Sequence, residues 1–155
     1  MAPASANCTI SNSAGHTLIY MRKNDWYGTI SKPPPYPETI ESGQSRDFKH
    51  VANGDGGSKS AVLYKRDGAF DWLVSWYVPT SAGNHVYTEM GPHGHFDKVD
   101  WADIERKLEN GPTETVTTGQ FGTVKYTATV NIEEGTNPKL MASIKTSESA
   151  AVSSE

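Results

Sequence analysis

The chain has one cysteine, Cys8, so no internal disulfide can form, and the buried-thiol reading of Cys8 as a small core residue outweighs the nucleophile reading. Its apolar runs are each interrupted after a few residues, which leaves no transmembrane segment. The opening MAPASANCTI lacks the basic region and apolar run of a secretory signal, so the expected location is cytoplasmic. Lysine and arginine are scattered, and the net charge is -4, so nucleic acid is not an expected partner. The loop Asn53-Gly54-Asp55-Gly56-Gly57 lacks the lysine and hydroxyl of a phosphate-binding loop. Ser75 lies between Val74 and Trp76 rather than in a GxSxG elbow. Helical periodicity is also scarce. Only DWADIERKLENG, near residues 100–110, carries it, with Asp100 as the cap, Trp101, Ile104 and Leu108 as the apolar stripe, and Gly111-Pro112 as the stop.

What remains is β-pattern. Residues 60–90 hold three strand-like runs. Val62 and Tyr64 alternate with Ala61 and Leu63, Asp67-Gly68 supplies a hairpin turn, and Phe70, Trp72, Val74 and Trp76 share one face of the next run. Leu73 and Tyr77 make its other face largely apolar too, so this strand is expected to be covered on both sides. Pro79 ends it, and His85 to Met90 completes a meander. Upstream, Asn7–Ile10 and His16–Met21 are expected to pair as a hairpin, and Ile40, Phe48 and Val51 anchor further short strands. Downstream, Val124–Ile132 alternates and is expected to pair with a last strand through Leu140, Ala142 and Ile144. At 155 residues this is one domain. The expectation is a mainly β fold, an antiparallel β-sandwich of eight or nine strands with one short α-helix. Residues 7–145 form the domain, with disordered ends at 1–6 and 146–155.

Two clusters could carry function. His93 and His95, with His85, Glu89 and Asp97 nearby, could hold a metal if their segment is extended, whereas the plain reading is a solvated turn around Pro92 and Gly94. Asp71 and Asp97 have ordinary turn roles, and no catalytic residue or cofactor is expected. The aromatic residues Trp26, Tyr27, Tyr36, Trp76, Tyr77 and Tyr87 sit at strand ends or in loops, where rings can stack on a ligand. Trp26 and Tyr27, adjacent in an extended chain, point to opposite sides, and Tyr36 is displayed by the proline-rich Lys32–Pro37 segment.

From Asn7 to about Ile144 the sequence resembles the C-terminal domain of plant 23 kDa jasmonate-induced proteins. The resemblance is carried by Asp25-Trp26-Tyr27-Gly28, Pro35-Tyr36-Pro37, Asp71-Trp72 with Ser75-Trp76, Asn84-His85-Val86-Tyr87-Thr88-Glu89 and Gly94-His95-Phe96-Asp97. It implies a stress- or wound-responsive plant protein, here without the family's N-terminal extension. Residues 28–90 also resemble the central meander of actinoporins and fungal fruit-body lectins, through Tyr64 before the Asp-Gly turn and Tyr77-Val78-Pro79. That implies an actinoporin-like sandwich, although Thr80 and Ala82 stand where the toxins carry head-group tyrosines. Fewer than ten residues precede the first strand, too few for their membrane-inserting helix. Together these imply a non-enzymatic plant stress or defence protein that binds a glycan or lipid head group through aromatic loops, with peripheral membrane contact at most. The alternatives are a metal-dependent or other enzyme centred on His93 and His95, and a homo-oligomeric protein-interaction module, for example a homodimer, that uses free strand edges.

Overall fold

The computed structural model describes residues 4–31, 35–54, 56–81 and 83–146. The expected disorder of 147–155 and the conformation of prolines 33 and 34 lie outside the described residues. Among the described residues, eleven strands and one helix follow in chain order: β1 (Ser5–Ser13), β2 (Leu18–Tyr27), β3 (Thr29–Ile30), β4 (Thr39–Ile40), β5 (Ser45–Val51), β6 (Ser58–Arg66), β7 (Phe70–Val78), β8 (His85–Pro92), α1 (Trp101–Glu109), β9 (Glu114–Phe121), β10 (Val124–Ile132) and β11 (Lys139–Thr146). They form two sheets, a six-stranded one in the order β3-β5-β1-β11-β10-β9 and a five-stranded one in the order β4-β2-β6-β7-β8.

The meander β6-β7-β8 forms as its pattern predicts, with Val62 opposite Val74 and Trp72 opposite Met90. On β7 the even residues Phe70, Trp72, Val74 and Trp76 face the six-stranded sheet. There they meet Cys8, Phe48, Tyr126 and Ile144 in the main core. The odd residue Leu73 faces outward and packs with Ala61, Leu63, Phe96 and Ile104 beneath α1, a second core. Both faces of β7 are therefore buried, which explains its near-continuous apolar run. The helix starts where its signals place it, the Asp100 carboxylate accepting from the amides of Ala102 and Asp103 at 3.0 and 3.3 Å.

Three expectations need correction. The run 7–10 and the run 16–21 do not pair: β1 lies in one sheet and β2 in the other. Buried Asn12 makes the crossing, its amide nitrogen donating to the carbonyls of His16 and Ile40 at 2.8 Å each, and its side-chain oxygen accepting from the Ala14 amide at 2.9 Å. The sandwich is not wholly antiparallel either, because β1 runs parallel to β11, with Cys8 opposite Leu140. Finally, β1 begins at Ser5, with Ala4, Ser5 and Ala6 buried, so order reaches further toward the N terminus than expected. The pairing of β10 with β11 forms as predicted, and β9 adds an edge strand that the threonine-rich 114–121 run had concealed.

The end of β7 is held by a close backbone approach. Gly57 has φ +90°, and a Cβ there would lie 2.2 Å from the Val78 carbonyl oxygen. Gly57→Ala is expected to lower stability by about 1–3 kcal/mol, read from urea unfolding followed by tryptophan fluorescence. An unchanged midpoint would mean that this approach is not a constraint.

Candidate functional site

The register of the five-stranded sheet places Tyr27 opposite Lys59, Lys59 opposite Tyr77, and Tyr77 opposite His85. One transverse row thus crosses β2, β6, β7 and β8 on the outer face, at the edge of the area covered by α1. The Lys59 ammonium lies 5.1 Å from the centre of the Tyr27 ring and 4.5 Å from that of Tyr77. It donates to Glu105 at 2.6 Å and also to Glu109, both on α1. Burial alone would lower the lysine's pKa, but the two carboxylates outweigh it and the net shift is upward, so the ammonium keeps its charge. Beyond Tyr77, the His85 ring stacks on the Tyr77 ring at 5.9 Å with the planes tilted by 22°, its Nδ1–H donating to the Gly111 carbonyl at 2.7 Å. The row is rigid, since each ring sits on a strand and the lysine between them is clamped to the helix.

Tyr27 is 42% exposed, the most open ring of this row, while Tyr77 and His85 are half-buried. Trp26 does not point away from Tyr27 as the extended-chain expectation had it. The register shifts between Asp25 and Tyr27, a bulge that turns Trp26 to the same outer face, where it meets Trp101 edge-on at 6.1 Å. Tyr87 also lies on this face, half-buried, its hydroxyl donating to Glu89 at 2.5 Å. Burial first, and then the Glu89 carboxylate, push its pKa up.

The other two aromatic candidates are inside. Trp76 is fully buried in the main core, its indole N–H donating to Ser58 Oγ at 3.1 Å. Tyr36 is 8% exposed rather than displayed: its ring stacks on Tyr20 at 5.5 Å and meets Phe48 at 4.9 Å. The Tyr64 hydroxyl, donating to the Pro37 carbonyl at 2.7 Å, draws this segment against the sandwich. The histidine pair also differs from expectation. Residues 93–98 form consecutive turns rather than an extended segment, and the His95 ring bonds Glu89 at 2.7 Å. Among the described residues no three His, Cys, Asp or Glu side chains converge as a metal-holding set.

Sequence reasoning missed one polar constellation altogether. His50, fully buried on β5, donates through Nε2–H to Asp25 Oδ1 at 2.8 Å, which leaves Nδ1 to accept from the Ser58 hydroxyl, also at 2.8 Å. Ser60 donates to the same Asp25 oxygen at 2.7 Å. The signal was available, because His50 falls two residues after Phe48 and so shares its inward face. Serine, histidine and carboxylate are linked here as in nucleophilic catalysis. Ser58 is fully buried and its oxygen is already engaged by Trp76, so no substrate atom can reach it, and the chain serves as a satisfied polar core.

Burial alone would raise the Asp25 pKa, but hydrogen bonds from His50, Lys23 and Ser60 hold it well below the usual carboxylate range. A depressed carboxylate stabilises the fold above its unfolded pKa, and that contribution is lost as pH falls. Asp25→Asn is therefore expected to cost about 1–3 kcal/mol at pH 7, with the gap to the parent narrowing progressively below about pH 4. Urea titrations at several pH values check this; a gap constant from pH 7 to 3 would refute the assignment.

Comparison with known proteins gives a consistent picture. A family model described as Nakanori-like protein matches residues 3–147. The 23 kDa jasmonate-induced protein of Hordeum vulgare is 37% identical over 138 residues, covering 83% of this chain and 63% of that protein. A jasmonate-induced protein homolog of Atriplex canescens is 31% identical over 119 residues, covering 72% of this chain and 64% of that one. The chain thus spans a little under two thirds of the length of either relative. Among solved structures, the lipid binding protein Nakanori superimposes with a TM-score of 0.80 at 14% identity, covering 94% of this chain and 72% of its own. The wild-type Xerocomus chrysenteron lectin XCL gives 0.60 at 12% identity, covering 91% and 99%. At such identities the structural likeness establishes the sandwich fold.

Proposed function

The chain belongs to the Nakanori-like family, and on that footing we propose that it is a non-enzymatic recognition protein whose ligand is a glycan or a lipid head group. The observation that carries this reading is the row Tyr27-Lys59-Tyr77-His85, which presents an exposed ring on a rigid sheet rather than on a mobile loop. Lys59 already fills the space between the two tyrosines, so the ligand meets the outward surface of Tyr27 and the exposed edges of Tyr77 and His85. A sugar ring or a head group with an apolar or cationic face suits such a platform, because both stack on the electron-rich ring face. Fungal lectin and lipid-binding relatives of the same fold lend support to either ligand class. The names of the plant relatives describe induction by jasmonate, and in this proposal the chain works in the same stress-responsive setting.

A glycan array and a panel of liposomes of varied head group, each read with and without chelator, test the reading. Tyr27→Ala is expected to weaken binding at least tenfold, about 1.4 kcal/mol, while changing the melting temperature little, because the ring is substantially exposed. Unchanged binding with a large fall in melting temperature would instead make Tyr27 a structural clamp for Lys59. A hit abolished by chelator would overturn the metal-free reading.

A further inference from the structure

The opposite face of the molecule, the outer surface of the six-stranded sheet, has a different chemistry, and among the described residues no helix lies over it. Registers across β5, β1, β11 and β10 align Ser45, Ser11, Ser143 and Thr129 in one transverse row of hydroxyls. Lysines stand at both ends of this floor. Lys49 and Lys139 flank Asn7 on the neighbouring strands, about 10 Å apart at two strand spacings. Lys145 lies six residues further along β11 from Lys139, about 20 Å away, with Lys125 on adjoining β10. All four lysines are exposed, and among the described residues none has an ion-pair partner. The carboxylates of this face are Asp47, which accepts from the Thr9 hydroxyl at 2.7 Å, Glu114, and Glu133, which accepts from the backbone amide of Lys139 at 3.1 Å, against the four lysines. The face is therefore net positive on a chain of net charge -4.

Two shallow grooves open on it. One of about 440 Å³ contains Lys49, Lys139, Asn7, Thr9, Asp47 and Met141, and the other, about 390 Å³, contains Lys125, Thr118, Gln120 and Thr127. Their linings pair ammonium groups with hydroxyls and amides, and in the first the Asp47 carboxylate is turned to the Thr9 hydroxyl. Exposed apolar side chains on this face are Met141 and Val116, and the outward positions of β5, β1, β11, β10 and β9 carry no aromatic ring, so there is little to insert into a bilayer.

We propose that this face binds a linear acidic polysaccharide, a glycan chain bearing carboxylates or sulfates. Its anionic groups meet the lysines at the two ends, and its hydroxyls lie on the Ser/Thr floor between them. The site is independent of the aromatic row, which lies on the other sheet, so the protein would hold two ligands on opposite sides.

The test uses the full chain with polygalacturonate and heparin as the acidic glycans. Neutral dextran, phosphatidylserine vesicles and a short DNA duplex serve as the comparison arms. The expected result is saturable binding to an acidic glycan and none to dextran, weakening at least tenfold between 50 and 300 mM salt as the charges are screened. Lys49→Gln with Lys139→Gln should weaken it at least tenfold without moving the melting temperature, and Tyr27→Ala should leave it unchanged. Four outcomes overturn the proposal: no binding to either acidic glycan, binding indifferent to the paired substitutions and to Lys125→Gln with Lys145→Gln, equal binding to the DNA duplex, or binding to the vesicles alone.

Discussion

Burial of β7 on both faces is the constraint from which most of the structure follows. A strand with a core on each side must carry apolar residues at even and odd positions alike, and any polar group left on it must find a partner without water. The partners are specific. The Trp72 indole N–H donates to Thr88 Oγ1 at 2.8 Å, and the Ser75 hydroxyl donates to the Tyr87 carbonyl at 2.7 Å. Asp71 Oδ2 accepts from the Gly94 amide at 3.1 Å, which ties the turns before α1 to the strand they cover, while buried Asp71 Oδ1 is the exception, with no hydrogen-bond partner among the described residues. Lys59, on neighbouring β6, obeys the same rule with two tyrosine rings and two glutamates.

The same constraint sets where recognition can occur. Helix α1 and the preceding turns cover the middle of the five-stranded sheet, over Ala61, Leu63 and Leu73, and leave the end of that face open. The transverse row from Tyr27 to His85 lies there, held by the helix through Glu105 and Glu109 yet not hidden beneath it. Among the described residues no helix covers the six-stranded sheet, and its outward residues are mostly hydroxyls, amides and lysines, with Asp47, Glu114, Val116 and Met141 among them. One fold thus offers two surfaces of unlike chemistry, aromatic on one side and cationic on the other.

Burial also decides what a constellation does. Asp25, His50 and Ser58 have the residue types and connectivity of a hydrolytic triad, but they lie between the sheets with the serine oxygen held by Trp76. The same hydrogen bonds that would activate an exposed serine here satisfy the buried histidine and carboxylate. Connectivity without access gives stability rather than chemistry.

Local chemistry was legible in the sequence wherever it depended on neighbours in the chain. The alternation from Val62 to Trp76 and the Asp67-Gly68 turn specified the meander, the Asp100 cap specified the start of the helix, and Val124–Ile132 specified a strand with one wet face. These are properties of side-chain period and turn conformation, which act over a few residues. Threonine-rich β9 was hidden because its alternation is between half-buried and exposed polar residues, which apolar periodicity does not register. Only the tertiary structure decided that β1 and β2 part into different sheets, that β1 runs parallel to β11, and that a bulge brings Trp26 and Tyr27 to one face. It also decided that Tyr36 and Trp76 are core while Tyr27 is open. These outcomes depend on contacts between residues far apart in the chain, such as Cys8 with Leu140 or Tyr36 with Phe48. Period and turn chemistry fix which residues form a strand, whereas the exposure of any one ring depends on which distant strand or helix comes to lie over it.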